Sequence, residues 1–309
     1  MSDSKVTLFE VGPRDGLQNE TRILPLAEKL DLISALSRAG IRKLEAGAFV
    51  RADRVPQMAD SEAVQDGLLA SGLAGDFYFL VPNRKGLARA IEKGVKHIAV
   101  FTAVSEEFNR KNIGMGVEDS FREIEAVVTE ARSANIRVRG YVSTVFGCPF
   151  QGRIDPKQAI GVIERMAALP VEEVSVGDTI GVAAPRGVSE VFEPLIRNAG
   201  AGRYAAHFHD TRGTALSNAV RALELGVRTF DSSVSGLGGC PFAPGASGNL
   251  ATEDLVYFLK ENGMETGVDY RALCETGARL SQLMGYARPV SRALQAYLAH
   301  CTRNSVWDS

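Results

Sequence analysis

At 309 residues and 45% hydrophobic content, the chain holds enough apolar material for one large core or two ordinary ones. A net charge of −2 excludes a general attraction to nucleic acid or to an anionic membrane. No run approaches the ~18 uninterrupted apolar residues that span a bilayer, and Met1-Ser2-Asp3-Ser4-Lys5 lacks the basic and apolar regions of a signal peptide, so the expected location is cytoplasmic.

Eight runs rich in Val, Ile, Phe and Tyr read as strands, at 6–10, 43–49, 77–81, 97–101, 137–143, 173–176, 204–209 and 229–234. Between them, 26–39, 62–70, 84–93, 117–134, 156–168, 186–199 and 215–225 carry the apolar spacing of amphipathic helices. Gly40, Gly94, Gly200 and Gly226 close four of these helices just before the next strand. A helix over 250–262 and two more within 269–300 complete the chain. The alternation predicts a (β/α)8 TIM barrel over about 5–262 with a C-terminal helical extension, all one catalytic domain of 1–309. An open doubly wound sheet is the alternative, and no GxGxxG turn follows the first strand to favour it.

Catalytic groups of such barrels sit where the strands end. The first strand runs into Arg14, Asp15 and Gln18; the second contains Glu45; the fourth leads to Lys111 and Asn112; the fifth carries Tyr141; the sixth ends at Asp178. His207 and His209 lie one residue apart on the seventh, so an extended backbone turns both imidazoles to one face. After the eighth comes a loop with five glycines in the thirteen residues 236–248, containing Cys240 and closing on Asn249.

Asp15, His207, His209 and Asn249 together offer two oxygen and two imidazole ligands, a mixture that suits Mg2+ or Mn2+ better than structural zinc. Read singly, each has a plainer account: satisfied core histidines, a turn residue at Asp15, a helix N-cap at Asn249. Arg14 could pair with Glu10 or Glu20 at the surface, or point inward and steady an enolate. Four cysteines at wide spacing (Cys148, Cys240, Cys274, Cys301) fit reduced thiols. Within its glycine loop, Cys240 fits a thiol carried over a bound substrate, whereas Cys148 reads as structural.

Three stretches closely resemble the 3-hydroxy-3-methylglutaryl-CoA lyases: residues 10–20 (EVGPRDGLQNE), 207–211 (HFHDT), and 233–254 from Ser233-Val234-Ser235-Gly236-Leu237 to Asn249-Leu250-Ala251-Thr252-Glu253-Asp254. Residues 111–113, 138–143 and 177–181 extend the resemblance over nearly all of 5–285. It implies retro-Claisen cleavage of an acyl-CoA to acetoacetate and acetyl-CoA, a reaction of leucine breakdown and ketone-body production. Catalysis would fall to Arg14, Asp15, His207 and Cys240, and metal binding to Asp15, His207, His209 and Asn249. Gln18, Glu45, Tyr141 and Asp178 would orient the substrate, with Lys111 and Asn112 meeting CoA. It also implies a homodimer, which no heptad or apolar stripe in the chain displays. Five positions depart from the family's pattern: Ala46-Gly47-Ala48 replaces Thr-Thr-Ser on the second strand, Arg212 replaces a Tyr, and Phe242 replaces another. The missing strand hydroxyls bear on which acyl group is accepted. A lyase for a related 3-hydroxyacyl-CoA, or a metal-dependent 4-hydroxy-2-oxoacid aldolase, keeps the same barrel and metal.

Overall fold

The computed structural model describes residues 4–238 and 248–301. Eight parallel strands close into a barrel: β1 (Thr7–Glu10), β2 (Lys43–Ala48), β3 (Asp76–Leu80), β4 (His97–Ala103), β5 (Arg137–Ser143), β6 (Val174–Asp178), β7 (Tyr204–Phe208) and β8 (Thr229–Ser232). Each strand pairs with its neighbours in chain order, and β1 closes the ring on β8 from Thr7↔Thr229 to Glu10↔Ser232. Burial on both faces explains why these strands read as continuous apolar runs rather than alternating ones.

Helices ring the barrel: α1 (Leu26–Arg38), α2 (Ser61–Ser71), α3 (Arg84–Glu92), α4 (Glu106–Ile113), α5 (Val117–Ser133), α6 (Pro156–Ala168), α7 (Pro185–Ala199) and α8 (Ala215–Glu224). Helix α5 shows the rule, burying Phe121, Ile124, Val128 and Ala131 on one stripe. Gly40, Gly94, Gly200 and Gly226 have positive φ, as helix-ending glycines do. Then follow α9 (Thr252–Glu261), α10 (Tyr270–Met284), which packs on α1 and α9, and α11 (Arg292–Cys301), which packs on α9 and α10. No helix among the described residues is long and apolar enough to cross a membrane.

The structure differs from the sequence expectation in four places. The segment after β4, for which the apolar spacing predicted no helix, is helix α4, with Ser105 accepting from the Phe108 amide at 3.1 Å and Gly114 ending it at φ +75°. The helix expected from residue 250 begins at Thr252, so Asn249 lies before its N-cap, Ala251. Strand β7 stops at Phe208 and β8 at Ser232. A two-stranded hairpin, Gly147–Cys148 with Gly152–Arg153, follows β5.

Candidate active site

A five-residue π-helical turn, Gly12–Gly16, follows β1 and carries Arg14 and Asp15. Such turns are rare and cluster at functional sites. Here Gly16 is required by close packing, because a Cβ would come within 2.7 Å of Ser233 Oγ. Glu10 locks the turn to the opposite side of the barrel seam, accepting from the amides of Gly12 (2.7 Å) and Val234 (2.9 Å) and from the Thr252 hydroxyl (2.7 Å). It does not pair with Arg14. That guanidinium donates to buried Glu45 on β2, through Nε at 2.7 Å, and to Asp15 Oδ1 at 2.8 Å.

His207 and His209 emerge from the end of β7 with ring centroids 5.3 Å apart. Register places His207 beside Asp231 of β8, and the imidazole Nδ1 meets Asp231 Oδ2 at 3.1 Å. Asp231 is itself held by Arg139 (2.6 Å) and by the Ser175 hydroxyl (2.7 Å). Burial opposes a charged His207, but the Asp231 hydrogen bond and the charges of Asp231 and Asp15 together outweigh it and raise the pKa. Burial first, then the neighbouring His207, lowers His209 to about 4, which leaves it a neutral donor. Burial raises the Asp15 carboxyl, but Arg14 and the two histidines outweigh it and hold its pKa below the ordinary value.

Asn249 reaches this group through backbone pairing. Residues 248–251 cross the barrel top, with the Leu250 amide donating to Phe208 O and the Ser233 amide to Leu250 O, both at 2.9 Å. Asn249 forms an isolated antiparallel bridge with His209. Its Nδ2 donates to Asp15 Oδ2 (2.9 Å) and Leu237 O (3.1 Å). Gly238 permits this approach: its φ is +105°, and a Cβ would lie 2.7 Å from that nitrogen.

Ligand atoms of Asp15, His207 and His209 all lie within 4.8 Å of one another. Two buried atoms beside them, His209 Nδ1 and Asn249 Oδ1, have no hydrogen-bond partner among the described residues. Buried polar atoms are rarely left so. A carboxylate, two imidazoles and an amide oxygen form a mixed O/N donor set that fits a divalent ion, and the orphaned atoms are those such an ion would satisfy.

The group opens into a cavity of about 510 Å3, lined also by Gln18, Asn112, Tyr141, Phe49, Leu80 and Met115. Tyr141 places its ring 5.9 Å from the Arg14 guanidinium and 4.7 Å from that of Arg139, and its hydroxyl has no hydrogen-bond partner among the described residues. Glu45 lies beneath Arg14 rather than on the cavity wall. Asp178 is buried and accepts from the amides of Val182 and Ala183, both at 3.0 Å. Lys111 is also off the wall, paired with Glu107 at 3.0 Å and 3.7 Å from the Phe150 ring centroid. Cys240 and Phe242 lie outside the described residues. Ala46, Gly47 and Ala48, expected beside the substrate, are buried and none lines the cavity. A Cβ on Gly47 would meet Ser61 Oγ at 2.7 Å. Arg212 donates to Gly181 O at 2.9 Å.

The sequence reading gave no role to Asp231, Ser175 or Arg139. The signal available was Asp231 as the one charged residue of its strand, Thr229–Ser232, where an unpaired buried charge would be costly.

A family model described as HMGL-like matches residues 5–280. A hydroxymethylglutaryl-CoA lyase of Pseudomonas mevalonii is 48% identical over 298 residues, covering 96% of this chain and 98% of that protein. A protein of Pseudomonas aeruginosa named 3-hydroxy-3-isohexenylglutaryl-CoA/hydroxy-methylglutaryl-CoA lyase is 45% identical, with 96% and 98% covered. The crystal structure of hydroxymethylglutaryl-CoA lyase from Pseudomonas aeruginosa superposes with a TM-score of 0.91 at 44% identity, covering 96% of this chain and 98% of that one.

Proposed function

The chain belongs to the HMGL-like family, and we propose that it is a divalent-metal-dependent lyase cleaving 3-hydroxy-3-methylglutaryl-CoA to acetoacetate and acetyl-CoA. One observation carries the reading: Asp15, His207 and His209 bring their donor atoms within 4.8 Å of one another, on the wall of the same cavity that Arg14 lines.

Asp15, His207, His209 and Asn249 would hold the ion, with Mg2+ or Mn2+ matching the oxygen-rich set. When bound, it supplies positive charge that makes a substrate hydroxyl easier to deprotonate. In this reading the C3 hydroxyl proton passes to Asp15 or His207, and the C2–C3 bond then breaks. Its electron pair moves to C2, giving the thioester enolate, while C3 becomes the ketone of acetoacetate. Arg14, fixed by Glu45 and Asp15, presents a positive charge where that enolate oxygen develops. Because Glu45 and Asp15 hold the guanidinium beforehand, little reorganisation is needed during the reaction. Protonation of C2 completes acetyl-CoA, and Cys240 is the group we assign to deliver that proton. Gln18, Tyr141 and Asn112 lie on the wall along which the thioester would extend. Asp178 and Glu45 act through other groups, the first through the backbone at 182–183 and the second through Arg14. The homodimer implied by the resemblance belongs to the same reading.

Purified protein supplied with Mn2+ and the thioester should yield acetoacetate and acetyl-CoA in equal amounts and leave a 4-hydroxy-2-oxoacid intact. Cleavage of the oxoacid with an untouched thioester would replace this reading with the aldolase.

A further inference from the structure

We infer that Ser235 is a positioning residue for Asn249: by tying the turn after β8 to helix α10, it fixes the carbonyl that decides which end of the Asn249 amide faces the cation site. The inference rests on the reading that makes Asn249 a metal ligand.

Ser235 stands just after β8 at a φ of +61°, a left-handed conformation that residues with side chains rarely adopt and glycine adopts freely. Gly236 and Gly238 beside it also have positive φ, at +69° and +105°. A serine held where glycine would fit more easily points to a use for its side chain. That side chain is fully buried. Its hydroxyl donates to Gly277 O at 2.8 Å and lies 3.1 Å from the Ser281 hydroxyl, both on α10. The Ser235 amide donates to both carboxylate oxygens of Glu253, each at 2.9 Å. Helix α10 comes this close because residue 277 is glycine: a Cβ there would lie 3.1 Å from Ser235 Oγ and would collide with Glu253. Glycine weakens a helix interior, so its place in the middle of α10 serves the approach.

The turn held in this way is the surface on which the Asn249 segment rests. Gly248 has no room for a Cβ against the carbonyls of Gly236 and Gly238. Leu237 O accepts from Asn249 Nδ2 at 3.1 Å, and Asp15 Oδ2 accepts from the same nitrogen at 2.9 Å. With both partners taking Nδ2, Oδ1 is the end left for an ion, and it has no hydrogen-bond partner among the described residues. A reversed amide would present N–H donors, which cannot ligate a cation. Asp15 is itself a candidate ligand. Leu237 O is therefore the partner that stands apart from the ion, and its place depends on Ser235 two residues before it.

The test is a cycle of Mn2+ affinities, measured by calorimetric titration without substrate on wild type, S235G, N249A and the double variant S235G/N249A. Glycine accepts the φ of +61° and removes only the side-chain contacts, so S235G should fold and bind Mn2+ about tenfold more weakly, as variants that disturb a ligand's orientation do. N249A should also weaken binding. The double variant should bind no more weakly than N249A alone, because Ser235 acts through Asn249. A Ser235 that served stability alone would add its loss to that of N249A, and additive losses overturn the inference. Unchanged affinity in S235G or in N249A overturns it as well. Should S235G fail to fold, S235A enters the same cycle with the same expectations. Wild type that shows this pattern yet leaves 3-hydroxy-3-methylglutaryl-CoA uncleaved would end the lyase reading and keep the positioning role. Wild type that binds no Mn2+ removes the metal site and the inference with it.

Discussion

His207 owes its orientation to a carboxylate one strand away. Asp231 holds Nδ1, leaving Nε2 as the atom available to a ligand, and Arg139 and Ser175 hold Asp231. Partners of this kind commonly change metal affinity ten- to hundredfold when altered. Asp231→Asn should therefore weaken Mn2+ binding by roughly that factor, read by calorimetric titration, because the amide oxygen accepts less strongly and Arg139 loses a charge partner. The fold should lose roughly 3 kcal/mol, the low end for breaking a buried pair, since Arg139 retains Glu173. Unaltered Mn2+ affinity in a folded variant would remove Asp231 from the site. At this scale the candidate donors were readable where their spacing is local: His207 and His209 stand at i, i+2, and Asp15 shares a turn with Arg14. Asp231 was not, because its meaning comes from register with β7. Nor was the inward turn of Arg14, which Glu45 decides from 31 residues away.

The elements that carry the ligands are fastened by buried carboxylates. Glu253, at the start of α9, accepts from the Ser235 amide at 2.9 Å, and Glu10 accepts from Val234. Burial raises Glu253 to about 8 and Glu10 to about 7. Both folded values lie above the ordinary carboxylate value of about 4.3, so the folded state binds more protons between the two. Stability from these groups is complete below the ordinary value and falls as pH rises toward 7–8. Thermal midpoints should decline from pH 5.5 to 8.5, and Glu253→Gln, which cannot ionise, should flatten part of that decline. Parallel curves for variant and wild type would contradict the assignment. Helix α4 shows where element reading failed: its polar sequence lacks an apolar stripe, and its signals were the Ser105 cap and Gly114 rather than periodicity. The π-helical turn after β1 was equally hidden, since its necessity comes from Ser233 packing on Gly16.

Across the whole molecule, the eightfold alternation of strand and helix was legible because a parallel barrel buries every strand on both faces and every helix on one. The polar rim followed from that geometry alone. What the sequence could not reveal was which rim residues share a cavity: Asn112 lines it and its neighbour Lys111 does not. The barrel sets Asp15, His207, His209 and Asn249, contributed from opposite ends of the chain, around one point. Whether that point drives the chemistry is tested by acetyl-CoA release from 3-hydroxy-3-methylglutaryl-CoA, using EDTA-treated protein of verified metal content before and after Mn2+ addition. The stripped protein should be inactive and regain turnover with Mn2+, while His209→Ala at the same Mn2+ concentration should not. Full turnover by the stripped protein, or by His209→Ala, would contradict the account.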